Sequence, residues 1–166
     1  MGHEGLEKSE IPCGVVTVSS SRTTDTDESG GKLVELLRSE GHKVVEKDLV
    51  PDDTSKLEDR IRDALSSEIR VLILTGGTGL STSDQTVDVL AELEERELPG
   101  FGEKFRSLSF EDIGPRAILS RARASLAGDT LIFALPGSTA AVELAMNELI
   151  LPTIGHALYE MDKEEE

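Results

Sequence analysis

Apolar residues in this chain come in short blocks whose spacing switches between the strand period and the helix period. Pro12 to Ser20 carries a β-branched run (Val15, Val16, Val18) and predicts a first strand. The polar loop Ser21–Asp27 follows, then a helix from about Ser29, with Leu33, Leu36 and Leu37 at helical spacing and Gly41 as its stop. Lys43–Val50 reads as a second strand, and Pro51-Asp52-Asp53-Thr54 turns into a helix with Leu57, Ile61, Ala64 and Leu65 on one face. Arg70–Leu74 predicts a third strand and Thr86–Glu94 a third helix. Between Leu98 and Arg123 the pattern loosens. Pro99-Gly100-Phe101-Gly102 breaks the chain there, with short helices expected around Glu103–Ser109 and Pro115–Ser120. Ala124–Leu126 and Thr130–Leu135 read as strands that turn at Gly128-Asp129. A helix from Thr139 carries Val142, Leu144 and Leu149, Pro152 interrupts it, and a final helix runs to about Met161.

Strands alternating with helices of about ten to fifteen residues predict an α/β protein: a three-layer α/β/α sandwich on a mostly parallel sheet. The expected organisation is one domain over residues 12–161, a flexible tail over 1–11 and a charged tail over 162–166. In such a sheet the loops beyond the carboxyl ends of the strands converge on the ligand. Here those loops carry Ser19–Arg22, Asp52-Asp53, Gly76–Asp84 and Pro136–Ser138.

Charge narrows the partners. A net charge of −16 over 166 residues argues against nucleic acid and against anionic membrane, whose phosphates would repel it. No apolar run approaches the ~18 residues of a membrane span, and Met1 to Glu10 lacks the apolar centre of a secretion signal. Cys13 stands alone, so no intrachain disulfide forms and a reducing cytoplasm is the simplest home. The acidic, lysine-poor balance suits a salt-rich cytoplasm or simply an acidic protein of an ordinary cell. Residues 104–123 run against this balance. Lys104, Arg106, Arg116, Arg121 and Arg123 face only Glu111 and Asp112, which reads either as an anion-binding segment or as surface ion pairs. His3, His42 and His156 are scattered and form no metal cluster in the sequence.

The densest chemistry is in Val71-Leu72-Ile73-Leu74-Thr75-Gly76-Gly77-Thr78-Gly79, followed by Asp84. A buried strand that ends in glycines lets backbone N–H groups crowd an anion, because no Cβ blocks the approach. A carboxylate beside an anion is repulsive unless a cation such as Mg²⁺ lies between them. The turn is neither a Walker loop, since no lysine lies between Lys56 and Lys104, nor a dinucleotide fingerprint, since Thr82 stands where its third glycine belongs. A ligand-free strand-to-helix turn, with Asp84 as a helix cap, is the plainer alternative.

Four separated motifs fall in one order: Thr75-Gly76-Gly77-Thr78-Gly79 with Asp84, Leu98-Pro99-Gly100-Phe101-Gly102-Glu103, Ser120-Arg121, and Leu135-Pro136-Gly137-Ser138. With these the chain resembles, from about Pro12 to Tyr159, the molybdenum-cofactor biosynthesis family of MoaB, MogA and the gephyrin G domain. Residues 105–114 and Ser83-Asp84-Gln85-Thr86 resemble the MoaB branch in particular. The resemblance implies the molybdopterin-binding fold, assembly as homotrimers or homohexamers, and adenylylation of molybdopterin by Mg·ATP to give adenylyl-molybdopterin and pyrophosphate. The product then passes to a separate molybdate-insertion protein. By the same resemblance Asp84 and Asp52, with Asp53 as the alternative to Asp52, are the catalytic and Mg²⁺-binding positions. Thr75, Gly76, Gly77, Thr78 and Gly79 are the nucleotide or phosphate turn, in which the Gly76, Gly77 and Gly79 amides cradle phosphate. Ser29, Gly30, Arg121, Pro136, Gly137 and Ser138 are the molybdopterin contacts, Arg121 as an anion clamp. The chain makes three departures from the family pattern: Ser83 replaces an arginine, Ser20 an aspartate, and Thr139-Ala140 a Pro-Lys pair. A non-catalytic molybdopterin carrier is the alternative function.

Overall fold

A computed structural model describes residues 10–163. The elements follow in the order β1 (Pro12–Val18), α1 (Glu28–Ser39), β2 (Lys43–Val50), α2 (Thr54–Leu65), β3 (Val71–Thr75), α3 (Thr86–Leu93), β4 (Arg96–Glu97), α4 (Pro99–Ile113), a 3₁₀ turn (Gly114–Leu119), β5 (Arg123–Ala127), β6 (Thr130–Leu135), α5 (Thr139–Ala145), a π-helical segment (Met146–Ile150) and α6 (Ile154–Asp162). The six strands form one sheet in the order β2-β1-β3-β6-β5-β4. The pairs β1·β2, β1·β3 and β3·β6 are parallel, and β5 and β4 close the far edge antiparallel.

Alternation along the strands sorts side chains into two cores. Cys13 and Val15, Val71 and Ile73, and Leu131, Phe133 and Leu135 face a core shared with α1 (Leu33, Leu37), Phe105 of α4, Val142 of α5 and Leu158 of α6. Val16 and Val18, Leu72 and Leu74, and Ile132 and Ala134 face the other core, closed by Leu57, Ile61 and Ala64 of α2 and by Val87, Val89 and Leu90 of α3. The sandwich therefore has three layers, with the sheet in the middle. Register pairs Thr17 with Thr75 and Thr75 with Leu135, so β1, β3 and β6 end level and deliver their loops to one rim.

The middle region corrects the sequence reading. Pro99-Gly100-Phe101-Gly102 begins a single helix of 15 residues instead of breaking the chain. Pro99 sits in its first turn, where the missing N–H has no partner to lose. Gly102 is buried and packs so closely that a Cβ there would lie 2.7 Å from the Ala122 carbonyl oxygen, which leaves room only for glycine. The two-residue β4 was not expected, since two residues are too few to show alternation.

Both expected tails also shift. Ile11 is buried in the core, and its N–H donates to His42 Nδ1 at 3.2 Å. Asp162 ends α6 and binds Arg70 at 2.6 Å. The rest of both tails, residues 1–9 with His3 and residues 164–166, lies outside the described residues.

The Ile11–His42 bond gives a pH prediction. Burial lowers the His42 pKa from its ordinary 6.5, against an opposing pull from Glu40. A histidine whose pKa is lower in the folded state favours the neutral form there. Its contribution to stability is present above pH 6.5 and lost as pH falls through the folded value. Urea unfolding between pH 8 and pH 5 is expected to show that loss, and His42→Ala is expected to flatten it; an unchanged slope in the variant excludes His42 as the source.

Candidate functional site

The turn after β3 is built by its glycines. Gly76 has φ +101° and Gly77 φ +68°, a region L side chains rarely adopt. A Cβ on Gly76 would lie 2.3 Å from the Val18 carbonyl oxygen, and one on Gly77 would lie 2.2 Å from Thr86 Oγ1. A Cβ on Gly79 would lie 2.7 Å from Asp84 Oδ2, so the carboxylate folds directly against that glycine.

Asp84 closes the turn on itself. Its Oδ2 accepts from the Ser81 N–H at 3.0 Å, while its own N–H donates to the Ser81 carbonyl at 2.9 Å. It is not the cap of α3, whose N-cap is Gln85 without a side-chain bond. The cap role falls instead to Asp53, which accepts from the Lys56 N–H at 3.0 Å at the start of α2. Asp52 faces the other way, toward the β1 loop. Its Oδ2 accepts from the Ser20 N–H at 3.1 Å and its N–H donates to Ser20 Oγ at 2.9 Å.

Not every amide of the turn faces outward. Gly76 donates its N–H to the Leu135 carbonyl at 2.9 Å, so this amide ties β3 to β6 and does not cradle an anion as the sequence suggested. Thr75 is buried and its hydroxyl donates to the Pro136 carbonyl at 2.9 Å. The carbonyls of Gly77 and Thr78 accept from the N–H groups of Thr86 and Arg121 at 3.0 and 3.2 Å. Among the described residues, the N–H groups of Gly77, Thr78, Gly79 and Leu80 have no hydrogen-bond acceptor.

Arg121, expected as an anion clamp, spends its guanidinium on protein. Nε donates to the Gly79 carbonyl at 3.0 Å, one terminal nitrogen to the Asp84 carbonyl at 2.8 Å, and the other to both Asp88 oxygens at 3.1 Å. The hydrogen bond from Arg121 holds the Asp88 carboxyl below the usual carboxylate range. Arg123 likewise pairs with Glu94 and Glu97. Arg121 and Arg123, two of the five cations of the basic segment, are thus ion-paired.

The turn after β6 is stitched to the start of α1. Ser29 Oγ, fully buried, donates to the Gly137 carbonyl at 2.6 Å, and Arg22 donates to the same carbonyl at 3.1 Å and to Ser29 Oγ at 3.2 Å. Asp27 caps α1 through the Gly30 N–H at 3.0 Å, accepts from Thr17 Oγ1 at 2.7 Å and lies 4.0 Å from Arg22. Gly30 has no room for a side chain, since a Cβ would lie 2.2 Å from Asp27 Oδ2. Ser138 caps α5, accepting from the Ala141 N–H at 3.2 Å.

These loops enclose a cleft of about 360 Å³ lined by residues 76–79, Asp84, Leu119, Ser120, Pro136 and Gly137. Through Ser120 and Pro136 it opens into a mainly apolar groove of about 210 Å³, bounded by Phe105, Ile113, Ser138, Ala140, Ala141 and Leu144, with Ser109 and Asp112 at its side. The first space suits phosphates and the second a flat ring. Asp84 and the two glycine turns are brought together here. Asp52, Ser29, Gly30 and Arg121 do not line the cleft; Ser29 and Arg121 act on its walls from behind.

Sequence reasoning placed Arg22 at the rim without a role and missed Asp27. Asp27 carried a signal, a capping residue three positions ahead of a helical amide. Arg22 carried none, because its acceptor is 115 residues away. Among the described residues no group of three or more His, Cys, Asp or Glu is placed to hold a metal, and no helix is long and apolar enough to cross a membrane.

Residues 14–156 match the family described as a probable molybdopterin binding domain. The chain is 41% identical over 164 residues to molybdenum cofactor biosynthesis protein B of Bacillus cereus, covering 98% of this chain and 97% of that protein. A crystal structure of a molybdenum cofactor biosynthesis protein B superposes with a TM-score of 0.90 at 41% identity, over 93% of this chain and 98% of the other. The tungsten cofactor synthesizing protein MoaB from Pyrococcus furiosus superposes with a TM-score of 0.84 at 32% identity, over 94% and 99%.

Proposed function

This chain belongs to the molybdopterin-binding family of molybdenum cofactor biosynthesis, in its MoaB/MogA group, and on that premise we propose that it adenylylates molybdopterin. The reaction joins a terminal phosphate oxygen of molybdopterin to the α-phosphorus of ATP. The bond from the α-phosphorus to its bridging oxygen breaks, and pyrophosphate leaves with that electron pair. Both reactants are anions, so positioning and charge neutralisation do most of the work and no protein nucleophile is needed.

One observation carries the reading: unbonded amides and the Asp84 carboxylate wall the same cleft, beside an apolar groove. Amides and a carboxylate repel opposite partners, and a phosphate that brings Mg²⁺ satisfies both. Asp84 would hold that ion, with Asp52 from the neighbouring loop as the other carboxylate, and the ion would supply charge neutralisation at the transferring phosphate. The amides of Thr78 and Gly79 bind phosphate. Pro136, Gly137 and Ser138 form the wall where cleft and groove meet, which suits the step from phosphate to pterin. Leu119 and Phe105 give the two spaces apolar walls. The same reading carries a cytoplasmic homotrimer or homohexamer that passes its product to a molybdate-insertion protein.

The test is Mg-dependent formation of adenylyl-molybdopterin from ATP and molybdopterin by the purified chain. Product and pyrophosphate in equal amounts support the transferase. Molybdopterin binding without turnover replaces it with a carrier, which the neutral Ser83 and Ala140 at this rim would suit.

A further inference from the structure

We propose that Arg121 is a positioning residue: it turns the amides of the glycine turn toward the cleft and pins both ends of the segment that carries Asp84. The proposal rests on the reading of that cleft as a phosphate site.

The peptide unit fixes the logic. In a trans peptide the C=O and the N–H that share the bond point in opposite directions. Three consecutive carbonyls of the turn are captured by groups that do not line the cleft: Gly77 by the Thr86 N–H, Thr78 by the Arg121 N–H, and Gly79 by Arg121 Nε. The N–H groups paired with them, those of Thr78, Gly79 and Leu80, are therefore turned the other way. None of the three has an acceptor among the described residues, and the Gly77 N–H just before them has none either. Consecutive amides aimed into one concavity make an anion nest. Arg121 takes two of the three, the Thr78 carbonyl through its backbone N–H and the Gly79 carbonyl through its side chain.

The same guanidinium reaches the Asp84 carbonyl, so one side chain spans the segment from Gly79 to Asp84. Only a fork can do this. A lysine ammonium is a single point and cannot hold two carbonyls and the Asp88 carboxylate in fixed directions. Arg121 is itself held from behind. Arg106 of α4 donates to the carbonyls on either side of it, Ser120 at 3.3 Å and Ala122 at 3.1 Å. Gly102 clears the space, since a Cβ there would lie 2.8 Å from an Arg106 terminal nitrogen. The brace thus runs from α4 through residues 120–122 to the glycine turn. With its side chain only 32% exposed and each nitrogen of its guanidinium engaged, Arg121 acts on the ligand through the backbone and not by touching it.

The experiment compares the full chain with Arg121→Lys and Asp88→Asn. Amide order parameters of the turn and hydrogen exchange of the strands are read on ligand-free protein, and binding of inorganic pyrophosphate with Mg²⁺ by calorimetry. Arg121→Lys keeps the backbone bond to Thr78 but frees the Gly79 and Asp84 carbonyls; it is expected to lower the order parameters of the Leu80 and Gln85 amides, which share those peptide units, and to weaken pyrophosphate by about 10- to 100-fold, the range for supporting residues behind a binding group. Exchange in the interior of β3 and β6 is expected to stay as in wild type, which a general loss of stability would not allow. Asp88→Asn keeps both carbonyl bonds and is expected to leave these amides and the affinity near wild type. Wild-type behaviour in Arg121→Lys overturns the proposal, and so does an equal loss in Asp88→Asn, which would make the ion pair the active element. Should Arg121→Lys fail to fold, Arg106→Lys is expected to move the same amides by a smaller factor, and no movement there overturns it as well. A wild-type chain that ignores pyrophosphate removes the phosphate reading of the cleft, while the amide order parameters of the free protein still read the brace.

Discussion

Asp84→Asn is expected to lower Mg-dependent adenylyl transfer at least about a hundredfold, with little change in the fold. Each factor of ten in rate is about 1.4 kcal/mol of barrier, and a metal ion at a transferring phosphate supplies several. Asparagine keeps the oxygen that accepts from Ser81, so the turn stays closed and only the charge is lost. Asp84→Ala removes both and is expected to lose as much activity plus about 1 kcal/mol of stability from the broken turn bond. Asp52→Asn is expected to cost less than Asp84→Asn. Asp52 is bonded into the β1 loop and does not line the cleft. Product formation across a Mg²⁺ titration, with thermal unfolding alongside, checks the series. Near-wild-type turnover in Asp84→Asn removes Asp84 from the metal role.

Gly76→Ala is expected to destabilise the protein by about 3 kcal/mol or more. Its φ of +101° is unfavourable for alanine, and the added Cβ meets the Val18 carbonyl oxygen at 2.3 Å. Neither atom can give way cheaply. Val18 ends β1 while Gly76 follows β3, and the two strands are locked in parallel register up to Thr17 and Thr75. Gly77→Ala is expected to cost less, because its clash is with the hydroxyl of Thr86, a side chain able to change rotamer. Gly31→Ala meets nothing within 4 Å in α1 and is expected to be neutral or to stabilise by about 0.5–1 kcal/mol. Urea unfolding of the three variants gives the order directly. Equal losses at positions 76 and 77 would mean that backbone conformation, and not the carbonyl contact, sets the cost.

Much of this was legible in the chain. Alternation in β1, β3 and β6 is a local property, and so are the leucines of α1 and α2, because burial on one or two faces imposes its period on neighbouring residues. The βα order then fixed where the loops gather, and with it the cluster of residues 76–84 and 136–138. The failures have a common form. Helix α4 was read as broken because Pro99, Gly100 and Gly102 are breakers in isolation. In the fold Pro99 occupies a first turn, and Gly102 makes room for Arg106 against Ala122.

Residue roles followed the same divide. Sequence determined that this protein is a βα-repeat fold with two glycine turns and an acid at one rim, because hydrophobic period and glycine placement are written within a few residues of where they act. Only the tertiary structure decided which amides of the turn remain free, that Asp53 caps a helix while Asp52 does not, and that Arg121 and Arg22 hold loops from behind. Those outcomes depend on which carbonyl a donor reaches across 42 or 115 positions of chain, and such distances leave no period in a sequence.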